Sequence, residues 1–330
     1  MTTNFKKLPY DPTKLPRELK KYYISSSKEE QGEMLKALGA KELKDLFSHI
    51  PDNVKFDKAP FVTEELGYND LIAHMEALAA KNNLKTCFIG DGLKNYKVQD
   101  IVPYVCDLRG LTTAYTPYQP ERSQGTLQTL WIYSSTLSML TGFEAINASF
   151  YERSTALYEA IQTATRLVKG SNTALVCESL YPGDIEVLKT QAKETGLNII
   201  TVPTDKDTGI TNRDTLHKMA TDLGEKLACI VFPQVNNYGN LEDVHSLTDL
   251  CSELQVQSIA IFDPMLLATE GLIQPSEFGS QKQGANMIVG EGQHLAIGPN
   301  FGGPGLGIFG IRYNDKNKND IRQTAGRFVG

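Results

Sequence analysis

The sequence contains few of the residues that bind metal ions or form disulfide bonds. Its five cysteines and five histidines are scattered over 330 residues, and no Cys-x-x-Cys or His-x-x-x-His spacing occurs. Some cysteines, such as Cys177 and Cys229, fall within apolar runs. We therefore expect reduced, buried thiols in a cytoplasmic protein, and no metal site.

The chain also lacks a long apolar run and an excess of basic residues. No stretch of about 18 apolar residues occurs, so we expect no membrane span. Residues 1–7 lack the apolar core of a signal peptide. The net charge of −6 argues against nucleic acid as a partner, because phosphates select a basic surface. The hydrophobic content of 41% is sufficient for a substantial core.

Two common motifs of nucleotide and hydrolase sites are missing, and a third is missing from the place where it would bind a dinucleotide. No Gly-x-Gly-x-x-Gly follows the first predicted strand, over residues 86–89, where Gly90-Asp91-Gly92 alone is a weak signal. Neither Gly-x-x-x-x-Gly-Lys nor Gly-x-Ser-x-Gly occurs. These absences argue against a nucleoside triphosphatase and against an α/β hydrolase.

Apolar runs alternate with helix-length segments over most of the chain, which predicts an α/β fold. Nearly continuous runs, such as 174–177 and 227–232, are typical of parallel strands covered on both faces. Residues 1–24 are interpreted as an extended arm and the rest of 1–85 as a helical lead-in, with a capping box at Ser27-x-x-Glu30 and a short helix at 41–47. Further strands are predicted at 145–148, 173–177, 198–202, 227–232, 258–262, 287–289 and 306–311. Helices are predicted at 98–108, 123–140, 154–168, 184–195, 212–223 and 241–254. Ser123 is expected to cap the second of them, and Gly142 to end it.

Ligands of open α/β sheets bind beyond the carboxyl ends of the strands, so the polar residues there are candidate site residues. Asp263 could pair with a pyridinium nitrogen of pyridoxal phosphate, or simply cap the turn before Pro264. Asn147 and Ser149 could bind a phosphate, or form an ordinary helix cap. His294 lies in a loop with seven glycines between Val289 and Gly307, but a lone histidine proves little.

A sixteen-residue block, Thr113 to Gln128, resembles a signature of the amino-terminal half of glycine decarboxylase, the P-protein of the glycine cleavage system. In many bacteria that half is a separate chain, subunit 1. Shorter matching blocks follow in the same order: Leu140-Thr141-Gly142, Asn147-Ala148-Ser149-x-Tyr151, Gly239-x-Leu241-Glu242-Asp243, Asp263-Pro264, Gly290-Glu291-Gly292-Gln293, Phe301-Gly302-Gly303-Pro304 and Gly326-Arg327. The resemblance runs from about residue 29 onward.

The resemblance implies the fold of type I pyridoxal-phosphate transferases, with a large domain at 86–315 and a mostly parallel seven-stranded sheet. Residues 316–330 would begin the connection to a carboxy-terminal small domain that is largely absent. Aligned on the Gly-Gly-Pro element, Gln293 stands where the catalytic half carries its Schiff-base lysine. Since glutamine cannot form an imine, we expect no catalytic residue and no covalently bound cofactor in this chain.

The resemblance also implies partners. Pyridoxal phosphate would reside in a lysine-bearing subunit 2, and the assembled aminomethyl-transferring glycine dehydrogenase would decarboxylate glycine and load the lipoyl group of the H-protein. This chain would be inactive alone. A rigid, extended segment around its prolines would form an active-site wall or interface, with Tyr115, Thr116, Pro117, Tyr118, Gln119, Glu121 and Gln124 as candidates. Asn147, Ser149, Asp263 and His294 would be vestigial cofactor-site residues.

Two other functions stay open at this point. Asp263 and the fold favour a stand-alone, aminotransferase-like pyridoxal-phosphate enzyme, which the missing lysine opposes. The second alternative is a pseudoenzyme that only interacts or regulates. Two segments, 152–154 and 234–238, depart from the usual pattern of the family and so are compatible with this function.

Overall fold

The computed structural model describes residues 27–55, 66–86, 88, 96–268 and 271–325. The predicted arm at 1–24, Cys87 and Ile89 of the first predicted strand, Gly90-Asp91-Gly92 and the last matching block at 326–327 lie outside these residues. Contacts between residues divide the chain into two units, 1–86 and 87–330.

The first unit is helical where it is described. Helix α1 spans Lys28–Ala37, and α2 spans Tyr68–Ala79. The predicted capping box is present, because the Ser27 hydroxyl accepts from the amide of Glu30 and donates to its carboxylate. The helix predicted at 41–47 is a 3-10 helix over Leu43–Phe47. No residue of α1 or α2 is buried, so the hydrophobic core lies in the second unit.

The second unit alternates strands and helices as predicted. Its helices are α3 (Val102–Cys106), α4 (Gln124–Thr141), α5 (Arg153–Leu167), α6 (Pro182–Ala192), α7 (Arg213–Leu223), α8 (Val244–Glu253) and α9 (Gln293–Ala296). Its strands are β1 (Ala145–Ile146), β2 (Thr173–Cys177), β3 (Asn198–Val202), β4 (Leu227–Pro233), β5 (Gln257–Phe262), β6 (Met287–Glu291) and β7 (Gly307–Ile311).

These strands form one seven-stranded sheet in the order β1-β7-β6-β5-β4-β2-β3. The neighbours from β6 to β3 are parallel, whereas β7 runs antiparallel to both β6 and β1. The expectation of a mostly parallel seven-stranded sheet is confirmed. The β6–β7 connection is the glycine loop rather than a crossover helix, which allows the antiparallel pairing.

Consecutive residues of the strands bury their side chains on opposite faces. Leu175 packs with the core on the side of α4, α7 and α8, whereas Val176 packs with α5 and α6. Both faces of β4 are buried along its whole length, which explains why its sequence is continuously apolar. This arrangement brings the carboxyl ends of β2, β4, β5 and β6 to one edge of the sheet.

Candidate functional site

Two predicted residues meet at this edge. Asp263 follows β5, and its Oδ1 lies 2.8 Å from Nε2 of His294 in α9. The same oxygen accepts a hydrogen bond from the amide of Met265, 3.0 Å away. The capping alternative for Asp263 is therefore observed, together with a contact to His294. The ring of Tyr96 packs edge-on against His294, and its hydroxyl donates to the carbonyl of Ile297.

Gln293 lies at the first position of α9 with 9% of its surface exposed. Its backbone amide donates to Oε1 of Glu291 at 2.8 Å. Its side-chain Nε2 is buried and has no hydrogen-bond partner among the described residues. The sequence has no lysine between residues 284 and 315, so this loop contains no amine that could form an imine.

Glu291, the last residue of β6, connects three segments of the chain. Its Oε1 accepts from the amides of Gln293 and Leu306, each at 2.8 Å, and its Oε2 accepts from the amide of Arg153 at 3.1 Å. Glu291 is not among the residues predicted from the sequence. Its signal is an acidic residue at the carboxyl end of an apolar strand, similar to that of Asp263.

A buried ion pair holds the start of α5 against α6. Nε of Arg153 lies 2.6 Å from Oδ2 of Asp184, and the hydroxyl of Ser154 donates to Oδ1 at 2.7 Å. The Arg153 guanidinium also lies 4.1 Å from the centre of the Tyr181 ring. Burial lowers the pKa of Arg153, but the Asp184 carboxylate outweighs that effect and raises it. This pair was missed, and its only signal was the unusual segment at 152–154.

One cavity at this edge, formed by described residues, is small. Eight residues line a cavity of about 40 Å³: Arg153, Tyr181, Val235, Ile261, Phe262, Asp263, Leu266 and Glu291. Such a cavity holds one or two waters, whereas sites for cofactor-sized ligands measure roughly 300 Å³ or more. The Glu291 carboxylate accepts a hydrogen bond from the first amide of α5, and His294 contacts Oδ1 of Asp263. In the described part of the chain, this cavity and these contacts therefore do not fit pyridoxal phosphate.

The two other predicted cofactor-site residues have different surroundings. The side-chain amide of Asn147 donates to the carbonyl of Ala325 at 2.7 Å and so ties the end of β1 to the last described residue. Ser149 is exposed. Their role in binding a phosphate stays a prediction.

The segment from Tyr115 to Glu121 forms bends, a turn and a short 3-10 helix. The prediction of an extended segment is wrong, because two side chains of α4 fold it back. Thr126 exchanges hydrogen bonds with the backbone of Ala114, and Gln124 donates to the carbonyl of Pro120. Tyr115 and Tyr118 are 101% and 79% exposed. Thr116, Gln119, Glu121 and Gln124 are also exposed, and Pro117 is half-buried.

Ser123 does not cap α4 as predicted. Its hydroxyl is buried and has no hydrogen-bond partner among the described residues. The end of α4 does follow the prediction, because Gly142 adopts a left-handed conformation with φ of 71°.

The described part of the chain contains no group of three acidic, histidine or cysteine side chains that could hold a metal ion. Nor does any of its helices combine the length and apolarity required to cross a membrane. The cysteines at 106, 177, 229 and 251 are free thiols.

Known proteins resemble this chain in sequence and in fold. The family model described as "Glycine cleavage system P-protein" matches residues 21–330. A probable glycine dehydrogenase (decarboxylating) subunit 1 from Legionella pneumophila is 35% identical over 312 residues. The corresponding protein of Moorella thermoacetica is 34% identical over 308 residues. Each match covers 93% of this chain and 65% of the relative, so the chain spans about two thirds of its relatives' length.

The solved structures agree with the sequence comparison. A crystal structure of glycine decarboxylase (P-protein) in inhibitor-bound form superposes with a TM-score of 0.73 at 31% identity, covering 93% of this chain and 65% of that chain. Mouse CSAD superposes with a TM-score of 0.59 at 10% identity over 88% of this chain and 62% of its own, which shows a shared fold alone. On the match over residues 21–330, the chain belongs to the glycine cleavage system P-protein family.

Proposed function

We propose that this chain is the lysine-lacking, non-catalytic subunit of a glycine decarboxylase. It would assemble with a lysine-bearing subunit that holds pyridoxal phosphate. The observation that carries the proposal is the buried amide of Gln293, which the resemblance aligns with the Schiff-base lysine. The small cavity lined by Asp263 and Glu291, and the relatives named subunit 1, support the same division of labour.

An exposed apolar surface supports the assembly with a second subunit. Tyr115 and Tyr118 are exposed before α4, and α4 itself exposes Trp131, Ile132 and Met139. Ile132 and Met139 are seven residues apart and lie on the same side of the helix. Aromatic and methionine side chains are enriched at protein interfaces. We therefore propose that the segment from 115 to 124, with the exposed side of α4, forms one wall of the partner's active site.

The assembled enzyme would decarboxylate glycine and transfer the aminomethyl group to the lipoyl group of the H-protein. In this proposal our chain performs no bond-making step, and its contribution is to position the partner and to exclude water. The free thiols are in keeping with a cytoplasmic location. A pseudoenzyme without a glycine-cleavage partner is the alternative that the following experiment distinguishes.

The test is co-purification with the lysine-bearing subunit from the same genome, with the mass of the complex measured by sedimentation. We expect a stable complex, and we expect Tyr118→Ala to weaken it by about tenfold or more, as for an aromatic residue at an interface. Tyr238→Ala is the matched control, because Tyr238 is similarly exposed but lies after β4. Absence of any complex would favour the pseudoenzyme.

A further inference from the structure

The environment of the Glu291 carboxylate is that of a bound anion. It accepts hydrogen bonds from three backbone amides, which belong to the start of α5, the start of α9 and the residue before β7. Convergent backbone amides form concave sites for phosphates and carboxylates. Here the acceptor comes from the chain itself, at the end of β6.

The start of α5 attracts anions, but carboxylates of the chain already use two of its amides. Helix α5 is 15 residues long and directs the positive end of its dipole toward this position. Its first amide is taken by Glu291 and its third, that of Thr155, by Oε1 of Glu152 at 3.1 Å. Two carboxylates therefore use the donors that would otherwise bind an incoming phosphate.

Gln293, whose backbone supplies one of these amides, also carries a buried side-chain donor. Nε2 of Gln293 is buried and has no hydrogen-bond partner in the described part of the chain, and the residue is more than nine-tenths buried. Its own backbone amide contacts Glu291. The hydroxyl of Tyr133, whose pKa is raised by burial and by the charge of Glu291, is also buried without a partner there. A phosphate has more acceptor oxygens than a carboxylate and could use such a donor.

We propose that Glu291 is an internal occupant of a phosphate-class anion site, and that its carboxylate closes this edge of the sheet to phosphorylated ligands. Loss of cofactor binding then has two separate causes in this chain: the missing amine at Gln293 and the occupied anion site. Removal of the carboxylate leaves three convergent amide donors that accept inorganic phosphate.

The test uses the full chain and Glu291→Ala, with inorganic phosphate as the probe at constant ionic strength. Thermal unfolding and calorimetric titration are the readouts. We expect the variant to be less stable than the wild type, to bind phosphate saturably in the calorimetric titration, and to gain stability with phosphate as binding linkage requires. A tenfold excess of phosphate over its Kd should multiply the folding equilibrium constant about elevenfold. The wild type should show no saturable gain.

Glu144→Ala is the matched control, because it also removes a carboxylate, one that binds Arg312 and a single backbone amide. It should lose stability without recovery by phosphate. Saturable phosphate binding by the wild type would overturn the proposal, as would an equal phosphate response of the two variants.

If Glu291→Ala does not fold, Glu291→Gln decides, since it keeps the side-chain volume and removes the charge. The proposal then predicts that Glu291→Gln lowers the folding equilibrium constant by at least about tenfold. Glu144→Gln should lower it by a smaller factor. The reverse order would contradict it.

Discussion

Replacing Asp184 by alanine should be among the most destabilising single changes in the second unit. The substitution leaves the Arg153 guanidinium without its carboxylate and removes the acceptor of the Ser154 hydroxyl. Arg153 opens α5, where the helix dipole already disfavours a positive charge. Breaking one side of a buried ion pair costs about 3–5 kcal/mol.

The size of the effect can be measured by thermal and guanidinium unfolding. With an unfolding entropy of roughly 2.1 cal/mol/K per residue over 330 residues, a loss of about 4 kcal/mol lowers the Tm by about 6 °C. The double variant Arg153→Met/Asp184→Leu removes both charges and should recover most of this loss, because apolar side chains of similar volume replace a buried pair at little cost.

Two results would refute this reasoning. One is a loss below about 1 kcal/mol for Asp184→Ala, which is the value of an exposed pair. The other is additivity of Arg153→Met and Asp184→Leu, measured as a coupling energy below about 0.5 kcal/mol in their double-mutant cycle. Either result would mean that the contact between α5 and α6 does not depend on this pair.

Two further predictions concern the start of β7 and the stability of the chain at acid pH. Gly307→Ala should cost about 1–3 kcal/mol of unfolding free energy, because its Cβ would lie 2.4 Å from the backbone carbonyl oxygen of Glu152. Gly183→Ala is its control in denaturant unfolding. This substitution should be neutral or stabilising, because Gly183 lies in helix α6 with nothing within 4 Å of the new Cβ. Equal losses of unfolding free energy for the two variants would contradict the argument. Asp249 has a pKa below its usual value, because hydrogen bonds from Gln283 and Ser280 outweigh the effect of burial. A depressed pKa stabilises the folded chain above about pH 4 and that contribution disappears as the pH falls through the folded value. Asp249→Asn should therefore lower stability near pH 7 and narrow its difference from the wild type under acid conditions, and a difference that stays constant with pH would argue against this role.

Much of the fold could be predicted from the sequence because its signals are local. Helix α5 was expected at 154–168 and is found at Arg153–Leu167. The continuous apolar runs of β2 and β4 predicted parallel strands covered on both faces, and these strands pair in parallel. The antiparallel direction of β7 was not predicted, since the glycine loop before it has no periodicity that fixes where the chain turns back.

The site was harder to predict because its contacts join residues far apart in sequence. Asp263 and His294 were each selected, but their contact spans 31 residues. The same separation divides Arg153 from Asp184, and neither of these two was selected as a partner of the other. Turn chemistry was also misjudged, since Thr126 in α4 bends the segment after Ala114 through hydrogen bonds that its local sequence does not show.

The central claim is that this chain supports catalysis only as a partner of a lysine-bearing subunit. The most direct measurement is the rate of glycine–CO2 exchange, in the presence of lipoylated H-protein, as this chain is titrated into that subunit loaded with pyridoxal phosphate. We predict no exchange from this chain alone, little from the partner alone, and a rise that saturates at an equal number of the two subunits. Full exchange from the lysine-bearing subunit alone, unchanged by this chain, would contradict the account.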